Sequence, residues 1–319
     1  MNGASPEVVL DLIVRERLDP VDGIVVLRLE TATGEDLPLW EAGAHIDVFT
    51  EGDACRQYSL CGSPDDRKGY RIAILEEPHG RGCSRLLYRT AVEGSTWRMR
   101  GPRTNFGLKS SDSYVFIAGG IGITPIIPMI EDAERRGASW RLLYGGRSRM
   151  TMAFLHELEA YGDQVVISPE DETGLLPLSA WLDHPTPGTL VYACGPEALL
   201  HGVEQRCTHW PRGSLHTERF VPKQLEEPVL AASFEVQFKR SGMVLEVPVD
   251  RSILEVIADA GIPTLSACQE GTCGTCETAV IEGVPDHRDS ILDEDEKAAN
   301  DYMMICVSRS CSPRLVLDL

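Results

Sequence analysis

Three cysteines stand close together in SACQEGTCGTCETAVIE, residues 266–282: Cys268, Cys273 and Cys276. Thiols so placed in a glycine-rich stretch can ligate a metal, join as disulfides, or pack as free side chains. A fourth, Cys306 in MMICVSR, extends the pattern to C-x4-C-x2-C, then 29 residues, then C. That spacing holds a [2Fe–2S] cluster. Two irons bridged by sulfides need four thiolates, three of which a tight loop can supply. Gly271 and Gly274 let such a loop turn and bring backbone N–H groups to the sulfurs. Zinc would call for paired C-x2-C knuckles or histidines, and His287 has no partner at a ligand spacing. Cys311 competes with Cys306 for the fourth position, and Cys306 is expected because it matches the spacing and ends a strand. Cys55, Cys61, Cys83 and Cys207 follow no pattern and read as packed or inert thiols.

A cluster that takes one electron at a time needs a donor, and two further stretches suggest a nucleotide. AGGIGITP, residues 118–125, follows an apolar strand and opens a helical pattern. Gly119, Gly120 and Gly122 would let the backbone approach a pyrophosphate, which a helix N-terminus favours. The pattern is G-x-G-x-x-P rather than G-x-G-x-x-G, and any strand-to-helix turn could use it. YACGP, residues 192–196, ends another strand, so Cys194, Gly195 and Pro196 could flank a nicotinamide at the strand ends. Arg147 and Ser148 could take a ribose 2′-phosphate, whereas Glu170, Asp171 and Glu172 in SPEDE would bond ribose hydroxyls and repel one. In RQYSL, Arg56 could clamp a phosphate and Tyr58 could pack on a flat ring. In GRGCS, residues 80–84, Arg81 offers a second cation. Ser84 and the N–H groups near Gly82 make an anion site where a helix begins.

Three blocks of elements must position these residues. Short Val-, Ile- and Tyr-rich runs separated by turn formers, such as DPVDG, fill residues 1–108 and predict an antiparallel β domain, a barrel or a sandwich. Strands alternating with helices, TPIIPMIEDAERRG and MAFLHELEAYG among them, fill residues 109–222 and predict a parallel α/β sheet. Residues 223–232 read as a linker. Residues 233–319 predict an α+β unit: a hairpin, a helix with the capping box Ser252/Glu255, the cysteine loop, and closing strands. The net charge of −19 argues against nucleic acid, and residues 232–319 hold 16 acidic against 7 basic residues, about half of it. That excess is either a solvated surface or a face that steers a basic partner. No apolar run reaches the roughly 18 residues of a membrane helix. The first twenty residues lack a secretory layout, so a cytoplasmic location is expected.

R-x-Y-S, G-x-G-x-x-P and C-G-P, in that order, resemble the ferredoxin–NADP reductase superfamily. With the cysteine pattern at the C-terminal end, the whole chain resembles the phthalate dioxygenase reductase family, which includes vanillate O-demethylase reductases. The resemblance implies a flavin β-barrel, a nucleotide domain and a plant-type ferredoxin (β-grasp) domain. It implies FMN rather than FAD, with Arg56 and Ser84 on its phosphate, Arg81 assisting, and Tyr58 and Ser59 at the isoalloxazine, Ser59 near N5. Cys83 stands where the family often has a second glycine, a departure in the Gly82–Ser84 loop. Gly120, Gly122 and Thr124 would take the pyrophosphate of NADH, Cys194 would lie by the nicotinamide, and Phe220 would cover the flavin. NADH is expected over NADPH. The implied activity passes electrons from NADH through FMN and the cluster to a terminal oxygenase, of the Rieske type or alternatively a cytochrome P450, with the protein acting as a monomer. A redox sensor with no turnover and a reductase that releases free flavin are the competing roles.

Overall fold

A computed structural model describes residues 8–50, 55–77, 82–223, 225 and 227–319. The chain divides into two compact units, Met1–Glu218 and Arg219–Leu319.

The first unit begins with strands β1 (Val9–Val21), β2 (Ile24–Glu30), β3 (Ala44–Phe49), β4 (Cys55–Ser59) and β5 (Gly69–Leu75). Helix α1 (Cys83–Thr90) and strand β6 (Thr96–Thr104) follow. The sheet is antiparallel in the order β4-β3-β6-β1-β2-β5, and a bridge between Leu60 and Ile72 joins its ends into a barrel. Leu12, Val14, Leu27, Ile46, Tyr70 and Trp97 fill it. Two details differ from the sequence reading. The expected DPVDG turn is shorter, because β1 runs through Pro20 to Val21 and only Asp22 and Gly23 turn. Pro20, which cannot donate to a ladder, falls where the register slips between Leu18 and Val21. Strand β6 was not foreseen at all: Arg98, Arg100, Arg103 and the Gly101-Pro102 pair hide its alternation, although Trp97 and Met99 point into the core.

Next come β7 (Ser113–Gly119), a 3-10 turn over Gly120–Ile123, α2 (Ile126–Arg136), β8 (Ser139–Gly146) and α3 (Leu155–Glu159). Strand β9 (Val165–Pro169), α4 (Glu170–Thr173), α5 (Leu178–Leu182), β10 (Thr189–Cys194), α6 (Glu197–Cys207) and β11 (Leu215–Glu218) complete the unit. Their sheet is parallel, in the order β11-β10-β7-β8-β9, with β11 a strand the sequence reading lacked. Helix α3 is shorter than expected. Phe154 takes φ 65°, and Met152, Ala153 and Phe154 are buried in the core instead of extending the helix. Ile24 and Ala73 of the barrel and Phe106 just after β6 share one core with Phe116 and Tyr192 of the parallel sheet and Met129 of α2, so no packing break falls near residue 108. Arg71 of β5 is also paired with Glu157 of α3 at 2.9 Å.

The second unit holds β12 (Phe234–Phe238), β13 (Val244–Val247), α7 (Ile253–Asp259), β14 (Glu277–Glu282) and β15 (Pro285–Asp286). Helix α8 (Glu294–Ala299) and strands β16 (Tyr302–Met304), β17 (Arg309–Ser310) and β18 (Arg314–Leu317) follow. Its main sheet runs β13-β12-β18-β14-β16, with β12 and β18 parallel, and β15 pairs with β17. The Ser252/Glu255 capping box forms on α7, Glu255 N–H donating to Ser252 Oγ at 3.1 Å. No helix among the described residues is long and apolar enough to cross a membrane.

Candidate cofactor sites

The cysteine loop leaves α7 and returns through β14, and the turn after β16 brings the fourth thiol to it. Cys268, Cys273, Cys276 and Cys306 are all buried. Cys268 lies near Cys273 and Cys306, and Cys306 near Cys276, close enough for each to act on its neighbour's ionisation. The four free thiols thus group as Cys268 with Cys273 and Cys276 with Cys306. Among the described residues no set of three or more His, Cys, Asp or Glu side chains is arranged to hold a single metal ion. Two pairs suit two irons, each of which takes two thiolates. Cys268 Sγ also accepts the N–H groups of Glu270 and Thr272 at 3.3 and 3.4 Å. The thiols of Cys273 and Cys306 lower the pKa of Cys268. Gly271 and Gly274 take φ of 71° and 73°, which a side chain would strain. Cys306 does not end a strand as expected: β16 stops at Met304, and Cys306 sits in the turn made as Val307 and Ser308 N–H groups return to Met304 O. Cys311 is exposed and its thiol donates to Pro285 O at 3.6 Å, apart from the four.

In the barrel, β4 carries Arg56, Tyr58 and Ser59 along one edge, and α1 packs against β4 and β5. Cys83 and Arg56 both lie near Tyr58. The Tyr58 hydroxyl is buried and, among the described residues, has no hydrogen-bond partner, and burial pushes its pKa up. A buried donor left this way calls for a ligand acceptor. Ser59 is buried as well. Gly82 caps α1 with φ 92°, no side chain caps the helix, and its first N–H groups are available to an anion. Ser84 Oγ accepts the Glu77 N–H at 3.4 Å. Arg81 lies outside the described residues.

At the C-terminal ends of β7 and β10 two loops meet. A Cβ on Gly122 would lie 2.3 Å from Cys194 O and 2.7 Å from Gly195 N, so this glycine lets the loops touch. Gly120 is different. It takes φ 54° and a Cβ there would meet nothing within 4 Å, so this backbone is the one open to a ligand. Thr124 is buried and its hydroxyl donates to Ile121 O at 3.0 Å. Pro196 caps α6, its carbonyl accepting the N–H groups of Leu199 and Leu200. After β8, the exposed Arg147 accepts the Asp171 N–H through its carbonyl at 3.2 Å, and Arg149 pairs with Glu172 at 3.0 Å. Phe220 belongs to the second unit and is 44% exposed; its assignment to the flavin rests on the resemblance alone.

One residue escaped the sequence reading. Glu218 ends β11 opposite Cys194, whose thiol donates to its Oε2 at 4.0 Å. Burial pushes the Glu218 carboxyl up to about 8, and burial, then Glu218, raises the Cys194 thiol well above its usual value. Recognising LHTE as a strand parallel to TLVYAC would have aligned residue 218 with 194.

Residues 236–311 match the 2Fe-2S iron-sulfur cluster binding domain family. Over 93% of this chain and 93% of the relative, the sequence is 39% identical to the phenoxybenzoate dioxygenase subunit beta of Ectopseudomonas oleovorans. It is 38% identical to the phthalate 4,5-dioxygenase oxygenase reductase subunit of Pseudomonas putida, over 97% and 96%. The solved phthalate dioxygenase reductase, a modular structure for electron transfer from pyridine nucleotides to [2Fe–2S], covers 98% of both chains at 36% identity and a TM-score of 0.71. The chain belongs to the phthalate dioxygenase reductase family. It is an oxidoreductase of the oxygenase-reductase kind, with FMN, NADH and a [2Fe–2S] cluster as cofactors. An intact type IV self-sufficient cytochrome P450 monooxygenase is also similar, at 40% identity and a TM-score of 0.92 over 98% of this chain. This chain spans only 41% of that longer protein.

Proposed function

We propose that this reductase takes electrons from NADH and delivers them to a Rieske-type oxygenase that acts on an aromatic acid or aryl methyl ether. The observation that carries the reading is the set of four buried, free thiols at the C-x4-C-x2-C and distant-C spacing, in a matched [2Fe–2S] domain. Cys268, Cys273, Cys276 and Cys306 hold the cluster, and the Glu270 and Thr272 N–H groups stabilise the charge that gathers on Cys268. When bound, the cofactors supply two-electron uptake from a nicotinamide and one-electron delivery onward. Arg56 and Ser84, with Arg81, orient the FMN phosphate at the start of α1, while Tyr58 and Ser59 meet the ring. The open backbone at Gly120 receives the dinucleotide pyrophosphate, and Cys194 with Gly195 and Pro196 borders the nicotinamide. Asp171, next to Arg147, faces the ribose and favours NADH. The protein works as a monomer, since one chain carries all three sites.

The test is a visible spectrum of purified protein before and after anaerobic NADH, with the released flavin identified by mass. Flavin bands and an iron–sulfur shoulder, both bleached by NADH, support the reading. Flavin without the shoulder in protein handled anaerobically would reduce it to a plain flavin reductase. The similarity to a self-sufficient P450 favours a second reading, in which the acceptor is a separate P450. Turnover reconstituted with one oxygenase class and not the other separates the two.

A further inference from the structure

The cysteine loop does not stand alone in its unit. The segment before α8 lies across it: Ser290 N–H donates to Gly271 O at 2.9 Å, and a Cβ on Gly271 would sit 3.2 Å from Asp289 Cα. Asp289 is 2% exposed, and its Oδ1 accepts the N–H groups of Ile291 and Leu292 at 3.0 and 2.8 Å. Its Oδ2 is buried and, among the described residues, has no hydrogen-bond partner. A buried carboxylate oxygen left without a donor is costly and calls for a reason. The two bonds to Oδ1 shape the turn, and an asparagine would accept them equally well. What only a carboxylate adds is a negative charge, on a residue whose Cα and Cβ pack against Gly271, which stands between Cys268 and Cys273 in the sequence. The same charge is within electrostatic range of Glu277, which follows Cys276.

We infer that Asp289 is a positioning residue that sets the reduction potential of the cluster, its buried charge opposing the electron that the cluster takes up. The inference rests on the cluster reading above. In a medium of low dielectric a nearby fixed charge acts strongly and is little screened. Reducing the cluster adds negative charge beside Asp289, so the carboxylate favours the oxidised form and pushes the potential down. The Ile291 and Leu292 bonds hold that charge in place.

The experiment is a spectroelectrochemical titration of the full-length holoprotein, followed by the iron–sulfur shoulder and by the EPR signal of the reduced cluster. Asp289→Asn keeps the shape and both accepted bonds while removing the charge. Its cluster is expected to be clearly more than half reduced at the potential where the wild type is half reduced. Asp289→Glu should restore the wild-type behaviour in large part. Glu246→Gln removes an exposed carboxylate from the same unit and should leave the midpoint unmoved. An unmoved or lowered midpoint in Asp289→Asn overturns the inference. So does an equal shift in Glu246→Gln, which would make net charge the cause. Failure of Asp289→Asn to retain a cluster that the wild type holds would also overturn it, in favour of a purely structural aspartate. Absence of the cluster from the wild type is a different failure, that of the functional reading itself.

Discussion

At the ends of β10 and β11, the buried Cys194 and the half-buried Glu218 face each other, and their chemistry makes folding depend on pH. The Glu218 carboxyl has an ordinary value of 4.5 and stands at about 8 in the folded protein. Between those values the folded chain keeps a proton that the unfolded chain has released. Folding therefore becomes less favourable as pH rises through that window, and the loss is complete above about 8. Urea unfolding at pH 5.5 and pH 9 should show the wild type losing more stability than Glu218→Gln over the same interval. Equal losses would mean that Glu218 ionises normally in the folded state. A second residue-scale expectation concerns the fourth ligand. Cys306→Ser should abolish the iron–sulfur shoulder while flavin is retained, whereas Cys311→Ser, altering an exposed thiol bonded to Pro285 O, should leave the spectrum as it was. A reversed pattern in the two spectra would exchange their roles.

Elements fix where these residues meet, and two contacts between elements can be tested. The glycine turn after β7 presses on the end of β10 so closely that a methyl group at Gly122 would overlap Cys194 O, a backbone atom that cannot swing aside. Gly122→Ala should cost about 1–3 kcal/mol of stability, the usual price of overpacking, and raise KM for NADH about tenfold or more, with flavin content unchanged. An unaltered KM would detach this turn from the nucleotide. In the barrel, Asp47 of β3 accepts Gln57 of β4 at 2.8 Å, and Arg100 and Arg103 of β6 both at 2.7 Å. Burial alone would raise its pKa; Arg103, then Gln57 and Arg100, outweigh that and hold it low. This clamp ties β4, which carries the residues proposed to meet the flavin, to β3 and β6. Asp47→Ala should lose about 3–5 kcal/mol, as expected when one partner of a buried ion pair is removed, measured by denaturant unfolding. The same contacts explain what the sequence did and did not reveal. The cysteine spacing, the α7 capping box and the strand-end glycines are local patterns, and they were legible. Strand β6 was not, because its outward positions are arginines whose partner, Asp47, lies on another strand. Strand β11 and Glu218 were missed for a similar reason: four residues carry too little periodicity, and only pairing with β10 defines them. Spacing singled out Cys306 as the expected fourth ligand, but its place in a turn depends on how β16 ends.

For the whole molecule the distribution of charge makes a separate demand. Residues 232–319 carry 16 acidic and 7 basic residues, and α8 contributes Glu294, Asp295 and Glu296 in its first turn, a strong acidic excess on the unit that holds the four thiols. Such a field speeds encounter with a basic electron acceptor and is damped by salt, since the Debye length is about 10 Å at 0.1 M. Cytochrome c, a basic protein, serves as a probe acceptor. Its NADH-dependent reduction should slow about fivefold or more as ionic strength rises from about 0.02 to 0.3 M, a range over which steered association falls steeply. Bleaching of the flavin by NADH in the first turnover, followed by stopped flow, should not slow in parallel, because that step needs no acceptor to dock. Neutralising the first turn of α8 by Glu294→Gln, Asp295→Asn and Glu296→Gln should flatten the salt dependence while leaving the flavin step intact. These substitutions fall on exposed side chains, though Glu296 also closes the cap on Asp293 N–H at 2.8 Å, a bond that glutamine can still accept. A cytochrome c rate that is flat in salt would make the acidic surface a means of staying in solution and would leave partner choice to the shape around the cysteine loop.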